Sequence, residues 1–168
     1  ADYVSQEGQN IFVRPNQVIA CSLEYSMLTD EMKRKILDVV KRELLTPRGL
    51  RTLSPKNPNY KGLYGGSQPD RDEAYHQGTV WPWLTGPYIE ANFRLYGTSF
   101  ASKAKELLAG FEEDMTLYGV CSVSEVYDGN PPYAPNGCIS QAWSVGEILR
   151  GLALIHKFEK GASKGKKK

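Results

Sequence analysis

Apolar side chains recur along this chain in two patterns. Between residues 30 and 44, Met32, Ile36, Val39, Val40 and Leu44 return every three or four positions against Glu31, Lys33, Arg34, Lys35, Lys41 and Arg42. That spacing lays one apolar stripe along a 3.6-residue helix, so it predicts an amphipathic outer helix, capped by Thr29 or Asp30 and stopped by Thr46-Pro47-Arg48-Gly49. Residues 99–115 repeat the pattern with Ala101, Ala104, Leu107, Leu108 and Phe111. Three other segments are apolar on more than one face and predict inner, buried helices. The first follows Pro15, with Val18, Ile19, Cys21, Leu23 and Met27; the second covers 80–96 with Leu84, Tyr88, Ile89, Phe93 and Leu95, bent at Gly86-Pro87; the third covers 140–158 with Trp143, Val145, Ile148, Leu149, Leu152 and Ile155. Alternation of period two is nearly absent. The expected fold class is all-α, with about five main helices.

Two loops interrupt this order. From Leu50 to about Gln77 the composition turns to Ser, Pro, Asn, Gly, Tyr and Asp, and Cys121 to Tyr133 contains Asp128-Gly129 and Pro131-Pro132. Loops of such length are kept in compact domains chiefly for function. The sequence buried helix, amphipathic helix, loop occurs twice, and Gly49 and Ser54 recur 70 positions later as Gly119 and Ser124. Two helix-pair units of this kind predict an α/α toroid, or an arc of one, with its loops gathered at one end.

The 168 residues fit one domain. The net charge of +2 reflects the end of the chain: five of the 21 basic residues fall within Lys160–Lys168, and the body carries sixteen against nineteen acids. A mildly acidic body argues against a nucleic-acid partner, and 161–168 reads as a disordered basic tail. Three cysteines without a CxxC pair and two histidines give no metal-binding pattern, and no cofactor is expected. No run of 18 apolar residues and no basic-then-apolar start appear, so neither a membrane nor secretion is expected, and the cytoplasm is the expected compartment.

The candidate chemistry lies at the loops. Glu125 stands among turn residues, Tyr127 and Asp128, where a carboxylate can serve as a base or bond its own turn. Tyr75, His76, Gln77, Trp81 and Trp83 lead into the second buried helix, and Gln141 and Trp143 open the third. Flat indole rings pack on the C–H faces of a sugar, and amides, imidazole and carboxylate suit its hydroxyls.

Three stretches, Tyr75-His-Gln-Gly-Thr-Val-Trp-Pro-Trp-Leu84, Ser122-Val-Ser-Glu-Val-Tyr-Asp-Gly129 and Gly137-Cys-Ile-Ser-Gln-Ala-Trp-Ser-Val145, resemble the C-terminal amylo-α-1,6-glucosidase domain of glycogen debranching enzymes, as do Arg14-Pro-Asn-Gln17 and Thr46-Pro-Arg-Gly-Leu-Arg-Thr-Leu53 in the same order. The resemblance implies a six-hairpin α/α toroid that hydrolyses the α-1,6 branch glucose of glycogen or limit dextrin with inversion. It places Glu125 at the general base and implies that Tyr75, His76, Gln77, Trp81, Trp83, Tyr127, Asp128, Gln141 and Trp143 line the glucose site. No block matches the aspartate that is the family's general acid. The expectation is therefore that residues 1–160 are the C-terminal part of such a domain, inactive alone and prone to self-associate through exposed toroid edges. A non-catalytic glucan-binding or scaffolding module is the alternative, and another α/α-toroid enzyme, phosphorylase or trehalase-like, is a third.

Overall fold

Thr29 shows how the helices begin. Its Oγ1 accepts the Met32 amide at 3.3 Å, Asp30 and Glu31 fill the first turn and Lys41 and Arg42 the last, so cap and charges favour the same helix direction. The computed structural model describes residues 2–6 and 8–165, with side chains as far as Lys160. Its helices are α1 (Asn16–Ser22), α2 (Asp30–Glu43), α3 (Gln68–Ala74), α4 (Thr85–Tyr96), α5 (Ala101–Ala109), α6 (Asp114–Leu117) and α7 (Ala142–Gly165). Helix α4 packs against both α1 and α7, α2 lies on α1 and α4, and α5 lies on α7 and α4. Two helix pairs and a further helix thus share one core.

That core is built where the apolar stripes meet. Val18 and Cys21 of α1, Leu37 and Val40 of α2, Ile89 and Phe93 of α4, Leu107 and Leu108 of α5 and Ile148 and Ile155 of α7 are all buried in one cluster. Phe93 stacks on Phe158 with ring centroids 4.5 Å apart, and Arg150 of α7 pairs with Glu90 of α4 and Glu147 of its own helix.

The fold is not all-α. Two strands at the start, β1 (Tyr3–Ser5) and β2 (Gly8–Asn10), form a hairpin. Five more, β3 (Leu45–Thr46), β4 (Gly49–Arg51), β5 (Val80–Trp81), β6 (Val126–Tyr127) and β7 (Pro135–Asn136), form one antiparallel sheet in sequence order. Each of these strands is two or three residues long, too short to show alternation in sequence. The sheet ties the loops together through the β4–β5–β6–β7 pairings, so that the two candidate stretches sit beside one another.

Several boundaries also differ from expectation. Helix α1 ends at Ser22; Leu23 and Met27 are exposed, Met27 almost fully. Residues 82–84 form a 3-10 turn and α4 starts at Thr85, so Pro87 lies in its first turn, where the missing N–H costs little, and marks a start rather than a bend. Gly97, at φ +56°, ends α4, and a second 3-10 turn over 97–100 leads into α5. Thr46-Pro-Arg-Gly49 closes the β3–β4 hairpin as well as stopping α2. Helix α7 runs to Gly165, into the stretch expected as tail, and residues 166–168 lie outside the described ones. Among the described residues no helix is long and apolar enough to cross a membrane.

One buried acid holds α2 to the first long loop. Glu43 is 7% exposed; it accepts from Lys56 at 2.7 Å, from Ser54 at 2.9 Å and from Arg42 at 3.0 Å. The Lys56 hydrogen bond above all, with those of Arg42 and Ser54, outweighs burial and holds the carboxyl at about 2, against an ordinary 4.5. A depressed folded-state value stabilises the protein above pH 4.5 and loses that contribution as pH falls toward 2. Urea unfolding measured between pH 5 and pH 2 should therefore show a fall in stability that is shallower in Glu43→Gln.

Candidate functional site

The site is assembled by the middle of the sheet. Strand β5 pairs on one side with β4, Leu50 opposite Trp81, and on the other with β6, Val80 opposite Tyr127. The residues before β5 carry Tyr75 and His76, and the residue before β6 is Glu125. Gly49 permits the first pairing: at φ +124° its Cα faces the chain so closely that a Cβ would lie 2.6 Å from the Trp81 carbonyl oxygen.

The first long loop contains α3, whose N-terminus is closed by a capping box between Ser67 and Asp70. Tyr75 follows at its C-cap, its amide donating to the Arg71 carbonyl at 2.9 Å. The phenol ring of Tyr75 packs edge-on against Trp81, with centroids 4.7 Å apart, and touches His76 and Tyr64. The Trp81 indole N–H donates to the Tyr75 carbonyl at 3.0 Å. So fixed, the Tyr75 hydroxyl donates to Oε1 of Glu125, fifty positions away.

The other oxygen of Glu125 is held by the loop after β7. Oε2 accepts the Cys138 amide at 2.9 Å, and the Glu125 amide in turn donates to the Cys138 carbonyl at 2.9 Å. This reciprocal pair needs Gly137, at φ +70°, because a Cβ there would lie 2.5 Å from Oε2. Burial pushes the Glu125 carboxyl up, but hydrogen bonds from Tyr75, from the amide and thiol of Cys138 and from the Gln141 side chain outweigh it, so the group sits below its ordinary range and is ionised at neutral pH. Burial and the adjacent carboxylate push the Tyr75 hydroxyl up, so it stays a donor.

The aromatic wall lies beside it. His76 stacks nearly parallel on Trp81 at 5.6 Å, Trp143 meets Trp81 edge-on at 5.5 Å, and Trp83 stacks on Trp143 at 5.9 Å. These four rings, with Pro15, Asn16, Thr52 and Leu84, line a pocket of about 200 Å³. His76 also borders a wider, shallower cavity of about 550 Å³ with Tyr60, Lys61, Asp72, Glu73 and Gln77. Glu125 is not among the residues that line either; Tyr75 joins it to the wall. Burial, with the nearby Arg14 guanidinium, lowers the His76 imidazole, which favours its neutral form.

Of the ten residues expected at the site, Glu125, Tyr75, His76, Trp81, Trp83, Gln141 and Trp143 come together. The other three have partners elsewhere in the fold, although Gln77 still borders the larger cavity with His76. Tyr127 is fully buried, its hydroxyl donating to Asp114, with its ring edge-on to Phe111. Asp128 accepts from the Tyr64 amide at 2.8 Å and from Asn136 at 3.1 Å, tying the first long loop to the second. Gln77 is tied by its Oε1 to Arg14.

Sequence reasoning missed Gly137, Cys138 and Arg14. Arg14 donates to the carbonyls of Thr52 and His76, at 3.1 and 2.6 Å, and to Gln77, at 2.9 Å, pinning both sides of the long loop. The signal was in hand, since Arg14 and Gly137-Cys138 belong to two of the five blocks quoted above.

The arrangement provides an ionised, oriented carboxylate joined through Tyr75 to a wall of indole and imidazole rings. Over a stretch of 85 residues the chain is 33% identical to the glycogen debranching enzyme of Saccharomyces cerevisiae, an alignment that covers 47% of this chain and 6% of that protein. The chain thus matches only a small part of its relative's length. The model of the amylo-alpha-1,6-glucosidase family matches residues 1–150, and on that match the chain belongs to that family.

Proposed function

We propose that this chain supplies the general base and part of the sugar wall of a glycogen-debranching α-1,6-glucosidase. The observation that carries the reading is Glu125, its two oxygens held by the Tyr75 hydroxyl and the Cys138 amide and linked through Tyr75 to the rings of His76 and Trp81. In an inverting hydrolysis one carboxylic acid protonates the leaving oxygen while a carboxylate on the other face of the sugar activates water, the two standing about 6.5–9.5 Å apart. Glu125 takes the second role. The acid is then contributed by residues other than those of this chain, and the 168 residues alone hold sugar without cutting it.

The packing of α1, α4 and α7 side by side, with α2 and α5 on their flanks, supports an arc of an α/α toroid. Leu149 and Leu152 of α7 are exposed, at 60% and 43%, and would rest on further helices of such a ring. In the isolated chain these edges promote self-association. Sedimentation should show a dimer or larger species, and a strictly monomeric chain would count against it.

A glucan-binding module without catalysis is the second reading, favoured by Trp143, which is 48% exposed and stacked on Trp83 beside the pocket. Titration of the chain with maltooligosaccharides should change its tryptophan fluorescence without releasing glucose. The two readings part in a full-length protein that carries this chain: glucose release from a branched limit dextrin, lost on Glu125→Gln, supports the enzyme, and release that Glu125→Gln leaves unchanged sinks it.

A further inference from the structure

Tyr75 entered as part of the sugar wall, yet its one polar atom does not face that wall. The hydroxyl donates to Oε1 of Glu125, and the ring is clamped by Trp81, His76 and Tyr64. We propose that Tyr75 is a positioning residue for the general base: it fixes the plane of the Glu125 carboxylate, while its ring rather than its hydroxyl meets the aromatic wall. This rests on the reading of Glu125 as the base.

The physical argument is one of counting. A carboxylate has about four lone-pair sites on two oxygens. Tyr75 takes one on Oε1, and the Cys138 amide takes one on Oε2. With both oxygens tethered the carboxylate cannot rotate about its last torsion. The two tethers come from beside the two strands that flank β6, one from the loop before β5 and one from the loop after β7. Catalytic gain from such fixing comes from orientation, since a base must point at the water that attacks. Tyr75 is able to keep donating because burial and the neighbouring carboxylate disfavour its ionised form.

The variant Tyr75→Phe keeps the ring and removes only the donor. In the 168-residue chain, the Glu125 carboxyl carbon followed by NMR should titrate at higher pH in Tyr75→Phe than in the unaltered chain, with thermal unfolding as the check on folding. If the phenylalanine variant does not fold, a ring-fluorinated tyrosine at position 75, a stronger donor of the same shape, should move the Glu125 titration downward instead. In the full-length protein, Tyr75→Phe should lower kcat for glucose release by about tenfold to a hundredfold, the scale of one hydrogen bond to a charged group, with KM little changed and the acid limb of the pH profile moved up.

An unmoved Glu125 titration, or a rise in KM alone with an unmoved acid limb, would overturn the proposal and return Tyr75 to the sugar wall. A shifted titration in the chain together with glucose release that survives Glu125→Gln would instead overturn the general-base reading on which the proposal rests. The first measurement needs no activity, so the two failures are distinguishable.

Discussion

Glu125→Gln, made in a full-length protein that carries this chain, is expected to lower glucose release from a branched limit dextrin by about 10²–10⁴-fold, the usual contribution of a positioned general base. The substitution changes little else. Glutamine has the same shape; its amide oxygen can still accept the Cys138 amide, and its NH₂ can donate to a Tyr75 hydroxyl that has rotated to accept. What disappears is the capacity to take a proton from water. The pH profile gives a second readout. Because the net shift of the Glu125 carboxyl is downward, the base is ionised above that lowered value and is lost below it, so the acid limb of the unaltered enzyme should fall under the ordinary carboxylate range. The residual rate of Glu125→Gln should show no such limb. A profile whose acid limb is unchanged by the substitution would assign that limb to another group.

How much of this could be read from sequence depended on the length of each pattern. Helix α2 declares itself, because five apolar positions recur over its four turns and Thr29 caps it. The sheet does not, because a strand of two residues has no period. Helix α3 lay unseen in the long loop: Gln68-Pro-Asp-Arg-Asp-Glu-Ala74 has no apolar stripe, although Ser67 and Asp70 carry the spacing of a capping box. At the site, residue types were legible and their partners were not. Glu125 could be singled out as a carboxylate in a turn, but the hydroxyl that holds it comes from position 75 and the amide from position 138, and only the β5–β6–β7 pairing brings them together. Tyr127, two positions from Glu125, looked equally available. The structure instead buries it, with its hydroxyl on Asp114.

Two of the three indoles expected at the sugar wall, Trp81 and Trp143, should behave in opposite ways. Trp81 is 4% exposed on the central strand, donates to the Tyr75 carbonyl and contacts the rings of Tyr75, His76 and Trp143. Trp81→Ala removes a large buried side chain from a place where three rings cannot all close inward, so it should cost about 3–5 kcal/mol of stability. For a chain of this size that corresponds to a fall in Tm of roughly 6–20 °C, measurable by thermal unfolding. Trp143 is 48% exposed at the first turn of α7, and its loss should leave Tm within a few degrees while weakening the fluorescence response to maltooligosaccharide. The contrast matters because each tryptophan alone could be read as core or as sugar platform. If Trp143→Ala destabilised the chain as much as Trp81→Ala, the exposed indole would be structural and the wall would lose its outer face. If instead Trp143→Ala abolished the sugar response at unchanged Tm, the division would hold: Trp81 builds the surface on which Tyr75 and His76 are set, and Trp143 is the part of it that a glucan ring can reach.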